Sequence, residues 1–102
     1  MRDLYHPRVE DVALPSVLHA LSDPVRLEIV RFLAGVDEAP CSSLDSAVSK
    51  STMSHHFKVL REAGLTYTRT DGTKRLMSMR HEELEARFPG LLNSVLHATK
   101  AA

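Results

Sequence analysis

Between Ser49 and Gly64, polar and apolar residues separate with helical spacing. Met53, Phe57 and Leu60 recur at i, i+4 and i+7, while Ser51, Ser54, His55, Lys58, Arg61 and Glu62 take the opposite side at about 100° per residue. That side is rich in hydrogen-bond donors. Serine hydroxyls and an imidazole can reach nucleobase edges or phosphate oxygens, and Lys58 and Arg61 carry charges that release counterions from a phosphate backbone. A few residues on, Arg69, Lys74 and Arg75 cluster about the turn-forming pair Asp71-Gly72. A polar-faced helix followed by a basic hairpin resembles a recognition helix with an adjacent wing. The plainer alternative is a solvated helix face beside a charged hairpin that discourages strand-edge pairing. The full order, short helix, polar-faced helix, basic hairpin, favours DNA.

Charge is segregated in the same sense. The chain has 102 residues, and 13 Lys and Arg balance 13 Asp and Glu, so net charge alone indicates no polyanionic partner. From Lys50 to Arg80, however, seven basic residues stand against two acidic ones, a local +5 that leaves −5 for the remainder. A dipolar surface of this kind orients a protein towards a polyanion. Apolar residues make up 43% and charged residues 25%, the composition of an ordinary globular domain, with length enough for one core. A single domain over residues 1–102 is expected.

Cys41 is the only cysteine, which excludes an intramolecular disulfide and a zinc site of paired cysteines within the chain. Residues 1–7 carry charges where a signal peptide has an apolar core, and no apolar run approaches the ~18 residues of a membrane span. The expected setting is therefore cytoplasmic, with no membrane partner. No carboxylate pair, nucleophile with a base, or Gly-rich phosphate loop is recognisable, so neither enzymatic activity nor a cofactor is expected.

These residues need elements to hold them. Residues 1–14, with Pro7 and opposed charges, read as an extended arm. Val17, Leu18 and Leu21, following Pro15, predict a short amphipathic helix ending near Ser22. Asp23 is placed to cap a second helix with Pro24 in its first turn, lined by Leu27, Ile29, Val30 and Leu33 up to Gly35. Gly35 to Pro40 reads as a loop, and Ser42 or Ser43 can cap a short helix through Ala47. Ser49 can cap the polar-faced helix, and Gly64 can end it in the left-handed conformation. From Leu65 to Met79 the period becomes two: Leu65, Tyr67 and Arg69 alternate with threonines, and Leu76 with Ser78, across a turn at Asp71-Gly72. The last helical region, Glu82 to about Ala98, is broken near Phe88 by Pro89-Gly90. Beyond the break, Leu91, Leu92, Val95 and Leu96 continue a stripe from Phe88 broad enough to cover both a core and a partner helix. With no Trp and few aromatic residues, so small a domain would gain from burial against a second copy.

Two stretches carry a family resemblance. Residues 20–30, Ala-Leu-Ser-Asp-Pro-Val-Arg-Leu-Glu-Ile-Val, and residues 51–65, Ser-Thr-Met-Ser-His-His-Phe-Lys-Val-Leu-Arg-Glu-Ala-Gly-Leu, closely resemble the signature segments of the ArsR/SmtB family of bacterial winged-helix repressors. The resemblance runs from about Val17 through the Asp71-Gly72 turn, whereas the tails match only in pattern. It implies a mainly α fold with a small β-hairpin, a winged helix-turn-helix dimeric through its N- and C-terminal helices. It further implies a repressor whose two recognition helices enter successive major grooves of a near-palindromic operator. Transferred residue by residue, the DNA-facing candidates are Lys50, Ser51, Thr52, Ser54, His55 and Lys58, with Arg61, Arg69, Lys74 and Arg75 on phosphates. Val17, Leu18, Leu21, Leu91, Leu92, Val95 and Leu96 are the candidate dimer interface, and residues 81–102 the dimerisation helix. One departure lies in the stretch from Leu44 to Lys50, about two residues shorter than the family's usual connection, so that the first helix or the turn must be compressed.

The family's usual sensor sites are not matched. Soft metals and arsenite are bound by a Cys-x-Cys pair, but the corresponding stretch here reads Pro40-Cys41-Ser42-Ser43-Leu44. The other common site needs an Asp-x-His pair and a second His about eleven residues on; this chain has His81 preceded by Arg80, and then His97. His6, His19, His81 and His97 are read as surface histidines and no metal site is expected. Cys41 is read as an inert small residue near a helix start, although such a position could also lower a thiol pKa. His55 is assigned to DNA and His56 to packing. A metal- or redox-responsive sensor using these histidines or Cys41, and a winged-helix protein-interaction module, remain the alternatives. Nothing in the sequence identifies an inducer.

Overall fold

The computed structural model describes residues 4–44 and 49–101. Asp23 starts the helix around which the fold is arranged: its carboxylate accepts from the N–H groups of Val25 (2.8 Å) and Arg26 (3.2 Å), two of the amides a helix start leaves unbonded. Helix α2, Pro24–Ala34, follows a shorter α1, Leu14–Leu21. Helix α3, Lys50–Glu62, is capped by Ser49, whose hydroxyl accepts from the Thr52 N–H. Gly64 ends it at φ +90°, and a Cβ there would lie 2.4 Å from a Val12 methyl, so the position excludes side chains twice over. After a β-hairpin, α4, His81–Arg87, and α5, Leu91–Ala101, flank the Pro89-Gly90 break.

The sheet has three antiparallel strands, β1 Ala39–Pro40, β2 Thr66–Asp71 and β3 Lys74–Met79, in the order β1-β3-β2. The two residues of β1 pair with Met77 and Leu76, where sequence reading expects only loop; two residues carry no periodicity, and the partner strand supplies the pairing. The hairpin turn is one residue later than expected. Asp71 pairs with Lys74, leaving Gly72-Thr73 as the two-residue loop, with positive φ at Gly72 alone, the pattern of a type II′ turn. On the inner face, Thr66, Thr68 and Met77 are buried while Tyr67 and Leu76 are not, so Met77, rather than Leu76, is the core residue of β3.

The core is drawn from every helix: Val17, Ala20 and Leu21 of α1, Ile29, Val30 and Leu33 of α2, Met53 and Leu60 of α3, Leu84 of α4 and Leu92 of α5, with Met77 beneath. Each buried Leu, Ile, Val or Met contributes about 1.5–3 kcal/mol relative to exposure, which holds α3 by its Met53 and Leu60 edge and leaves the opposite face open. Where a short helix is expected from Ser42 or Ser43 through Ala47, the described residues form a 3-10 turn at Cys41–Ser43; residues 45–48, and with them most of the compressed connection, lie outside the described residues.

Candidate nucleic-acid interface

Lys50, Ser51, Thr52, Ser54, His55 and Lys58 are all exposed along α3, and Lys74 and Arg75 are exposed at the hairpin tip. The start of the helix is organised by Ser49, whose Oγ lies 3.0 Å from Thr52 Oγ1 and 3.1 Å from Ser51 Oγ. Among the described residues, Lys50, Lys58, Lys74 and Arg75 form no ion pair. The result is a helix face of hydroxyls, one imidazole and two ammonium groups beside a hairpin ending in two more cations, all available to solvent.

The remaining basic residues are engaged. Arg61 is half-buried and its Nε donates to the Tyr5 carbonyl (3.1 Å). The Arg69 guanidinium is held in a two-point contact by Glu38, Nε to Oε2 at 2.7 Å and Nη2 to Oε1 at 2.8 Å. The Arg69 hydrogen bond keeps the Glu38 carboxyl below the usual carboxylate range. Arg80, counted in the basic segment, is only 3% exposed. It donates to the Pro7 carbonyl (2.7 Å) and to both oxygens of Glu83, and it stacks on the Tyr67 ring at 4.5 Å. Glu83 also accepts from the Tyr67 hydroxyl.

The N-terminal arm is tied to this same region instead of standing free. The outward N–H of Thr68, on the edge strand β2, donates to Nε2 of His6 (3.0 Å), whose ring meets Tyr67 edge-on. His6 is thus a partly buried acceptor and not the surface histidine expected from sequence. Burial, then the charges of Arg61 and Arg80, lower its pKa. The signal for this was absent from the sequence, because His6 and Thr68 are joined only by the fold. One other residue, Arg26, was within reach of sequence reasoning, while His56 is buried as its assignment to packing expects. Arg26 falls on the inward stripe of α2 with Ile29, Val30 and Leu33, and His56 on that of α3 with Met53 and Leu60; both are buried, and they contact one another. A charged residue on an apolar stripe was the available clue.

Cys41 is half-buried, and burial raises its thiol pKa despite the opposing charge of Arg75; the activation that a helix start could provide does not occur. His19, His55, His81 and His97 are exposed. Among the described residues no three His, Cys, Asp or Glu side chains are grouped to hold a metal ion, and no helix is long and apolar enough to cross a membrane. Of the candidate dimer residues, Val17, Leu21 and Leu92 belong to the chain's own core, whereas Leu18 is exposed and Leu91, Val95 and Leu96 are half-buried.

Comparison with known proteins agrees with this geometry. A helix-turn-helix domain family matches residues 21–67. An uncharacterized HTH-type transcriptional regulator of Bacillus subtilis (strain 168), YceK, is 37% identical over 89 residues, covering 84% of this chain and 89% of that protein. The arsenical resistance operon repressor of Staphylococcus xylosus is 38% identical over 73 residues, 71% of this chain and 70% of the repressor. Among solved structures, HlyU from Vibrio cholerae superposes with a TM-score of 0.68 at 26% identity, covering 86% of this chain and 91% of that one. The fold, the polar-faced helix beside its basic hairpin, and these relatives together place the chain in the ArsR/SmtB family of winged-helix proteins, as a DNA-binding transcriptional regulator.

Proposed function

We propose that the protein is a cytoplasmic repressor that binds a near-palindromic operator as a homodimer, placing α3 of each copy in the major groove and its hairpin against the flanking backbone. The observation that carries this reading is the open face of α3, whose Lys50 and Lys58 join Lys74 and Arg75 as exposed cations that form no ion pair among the described residues. Lys50, Ser51, Thr52, Ser54, His55 and Lys58 then meet bases and phosphates, and Lys74 and Arg75 meet phosphates. Arg61 contributes once DNA displaces the Tyr5 carbonyl, whereas Arg69 stays neutralised by Glu38. Leu18, Leu91, Val95 and Leu96 supply the apolar face for the second copy. Occlusion of a promoter is the simplest mechanism, in keeping with the repressor relatives.

The test is selection of bound duplexes from a random pool, followed by titration across a salt series. A two-fold repeated motif is expected, and Lys58→Ala and Lys74→Ala should each lower the slope of log K against log salt by about 0.9 per lost phosphate contact. Wild-type slopes in both variants would refute the interface. Sedimentation equilibrium checks the dimer, which Leu18→Glu with Val95→Glu should dissociate.

A further inference from the structure

Arg26 and His56 are each only 7% exposed, so neither can touch DNA, yet they form the one side-chain bond described between α2 and α3. The Arg26 guanidinium uses three donors. Nε donates to the Ala20 carbonyl (2.7 Å), Nη2 to the His19 carbonyl (3.3 Å), and Nη1 lies 3.2 Å from Nδ1 of His56. The two carbonyls belong to the last turn of α1, where the helix dipole is negative; that of His19 also accepts from the Ser22 N–H and hydroxyl. Arginine has no acceptor, so in this contact Nδ1 of His56 is the acceptor. Among the described residues no carboxylate forms a hydrogen bond or ion pair with the Arg26 side chain. A buried cation is unfavourable unless its donors are satisfied, and among the described residues the one side chain that accepts from it sits on α3.

What such a contact adds over apolar packing is direction. Met53 and Leu60, with Phe57 and Val59 beside them, hold α3 against the core by contacts that depend weakly on angle, whereas a hydrogen bond depends on it strongly. With side chains about 5 Å from the helix axis, a roll of roughly 20° moves a side-chain tip by about 2 Å, beyond the range of a hydrogen bond. His56 is next to His55 and two residues from Ser54 and Lys58, so fixing His56 inward fixes the setting of the exposed face.

We propose that Arg26 is a positioning residue, which through Nδ1 of His56 clamps α3 to the C-terminal end of α1 in the rotational setting that presents Ser54, His55 and Lys58 to the DNA. This rests on the reading of α3 as the DNA-contacting helix. Because α1 also carries Leu18 of the proposed dimer face, the clamp sets α3 relative to the two-fold axis, and hence the spacing of half-sites.

The test compares His56→Asn, whose side-chain oxygen lies near the place of Nδ1, with His56→Gln, whose oxygen lies farther out near that of Nε2. The readout is the ratio of affinities for a duplex selected by the wild type and for its scrambled sequence at one salt concentration, with the unfolding midpoint measured alongside. His56→Gln should lose about tenfold or more of that ratio, the loss of one well-placed base contact, while His56→Asn stays within about threefold of wild type. Arg26→Lys keeps the charge without the three-way fork and should lose the ratio like His56→Gln; it also serves if His56→Gln does not fold. Equal ratios for Asn and Gln at position 56, retained or lost, or a wild-type ratio for Arg26→Lys, overturn the clamp. Ser54→Ala and Lys58→Ala separate the two levels: if they bind the selected duplex as the wild type does, the reading of α3 has failed. If they weaken binding while the two His56 variants behave alike, the clamp alone has failed.

Discussion

Glu38 directly opposes the positive charge of the hairpin. Its two oxygens take both Nε and Nη2 of Arg69 at 2.7 and 2.8 Å, and the Arg69 bond holds its pKa below the usual carboxylate range, so at neutral pH the pair is ionised and neutral overall. Arg69 in this state presents no net charge to a phosphate. Glu38→Gln removes the negative charge with little change of shape, leaving Arg69 free to neutralise a further phosphate. Each phosphate neutralised adds about 0.9 to the slope of log K against log salt, so the variant should steepen that slope by about 0.9 per copy. Between about 50 and 200 mM salt this is a further ~3.5-fold loss of affinity per copy beyond that of the wild type, with tighter binding at the low-salt end. Fluorescence anisotropy of a labelled selected duplex over five salt concentrations resolves it. Arg69→Ala alone should leave the slope nearly unchanged, and in the Glu38→Gln background should abolish the increment. If Arg69→Ala alone reduces the slope by about 0.9, as Lys74→Ala should, then Glu38 does not hold Arg69 against DNA and the argument is wrong.

Three further outcomes follow from other contacts. His6 accepts from the Thr68 N–H, and burial with the charges of Arg61 and Arg80 holds its pKa in the folded chain below the ordinary histidine value of 6.5. Its contribution to stability is therefore complete above the unfolded value and lost as pH falls through 6.5 towards the folded value. Urea midpoints between pH 8 and 5 should fall more for the wild type than for His6→Ala, and parallel curves would dismiss the contact. Gly64→Ala combines a left-handed φ of +90° with a Cβ 2.4 Å from Val12, and should cost at least ~2 kcal/mol, or about 10 °C in thermal midpoint. Gly72→Ala, at φ +63° in open space, should cost about 1 kcal/mol; equal midpoints for the two would show that the Val12 contact is immaterial. Arg80→Leu leaves Glu83 and the Pro7 carbonyl without their buried donor, and a loss of about 2–4 kcal/mol in chemical denaturation is expected; a loss under 0.5 kcal/mol would mean that the arm is not anchored there.

What could be read from residue order was whatever depends on neighbours along the chain. The caps Asp23 and Ser49, the left-handed stop at Gly64, the break at Pro89-Gly90 and the amphipathic face of α3 are local, set by side chains within one or two helical turns of the backbone groups they satisfy. The same locality made the open face of α3 legible, since burial of Met53 and Leu60 obliges Ser54, His55 and Lys58 to face away. Strand β1, the one-residue shift of the hairpin turn and the burial of Met77 in place of Leu76 escaped, because pairing partners decide them.

Tertiary structure alone decided which charges are available. Sequence counts Arg61, Arg69 and Arg80 with Lys58, Lys74 and Arg75 as one basic segment, but the fold brings the Tyr5 carbonyl, Glu38, and Pro7 with Glu83 against the first three. Their partners lie up to 73 residues away, and a bond over that separation leaves no trace in spacing. Local order determined that a donor-rich helix and a basic hairpin would exist; long-range contacts determined which of their cations remain open to a polyanion and which have become struts of the protein itself.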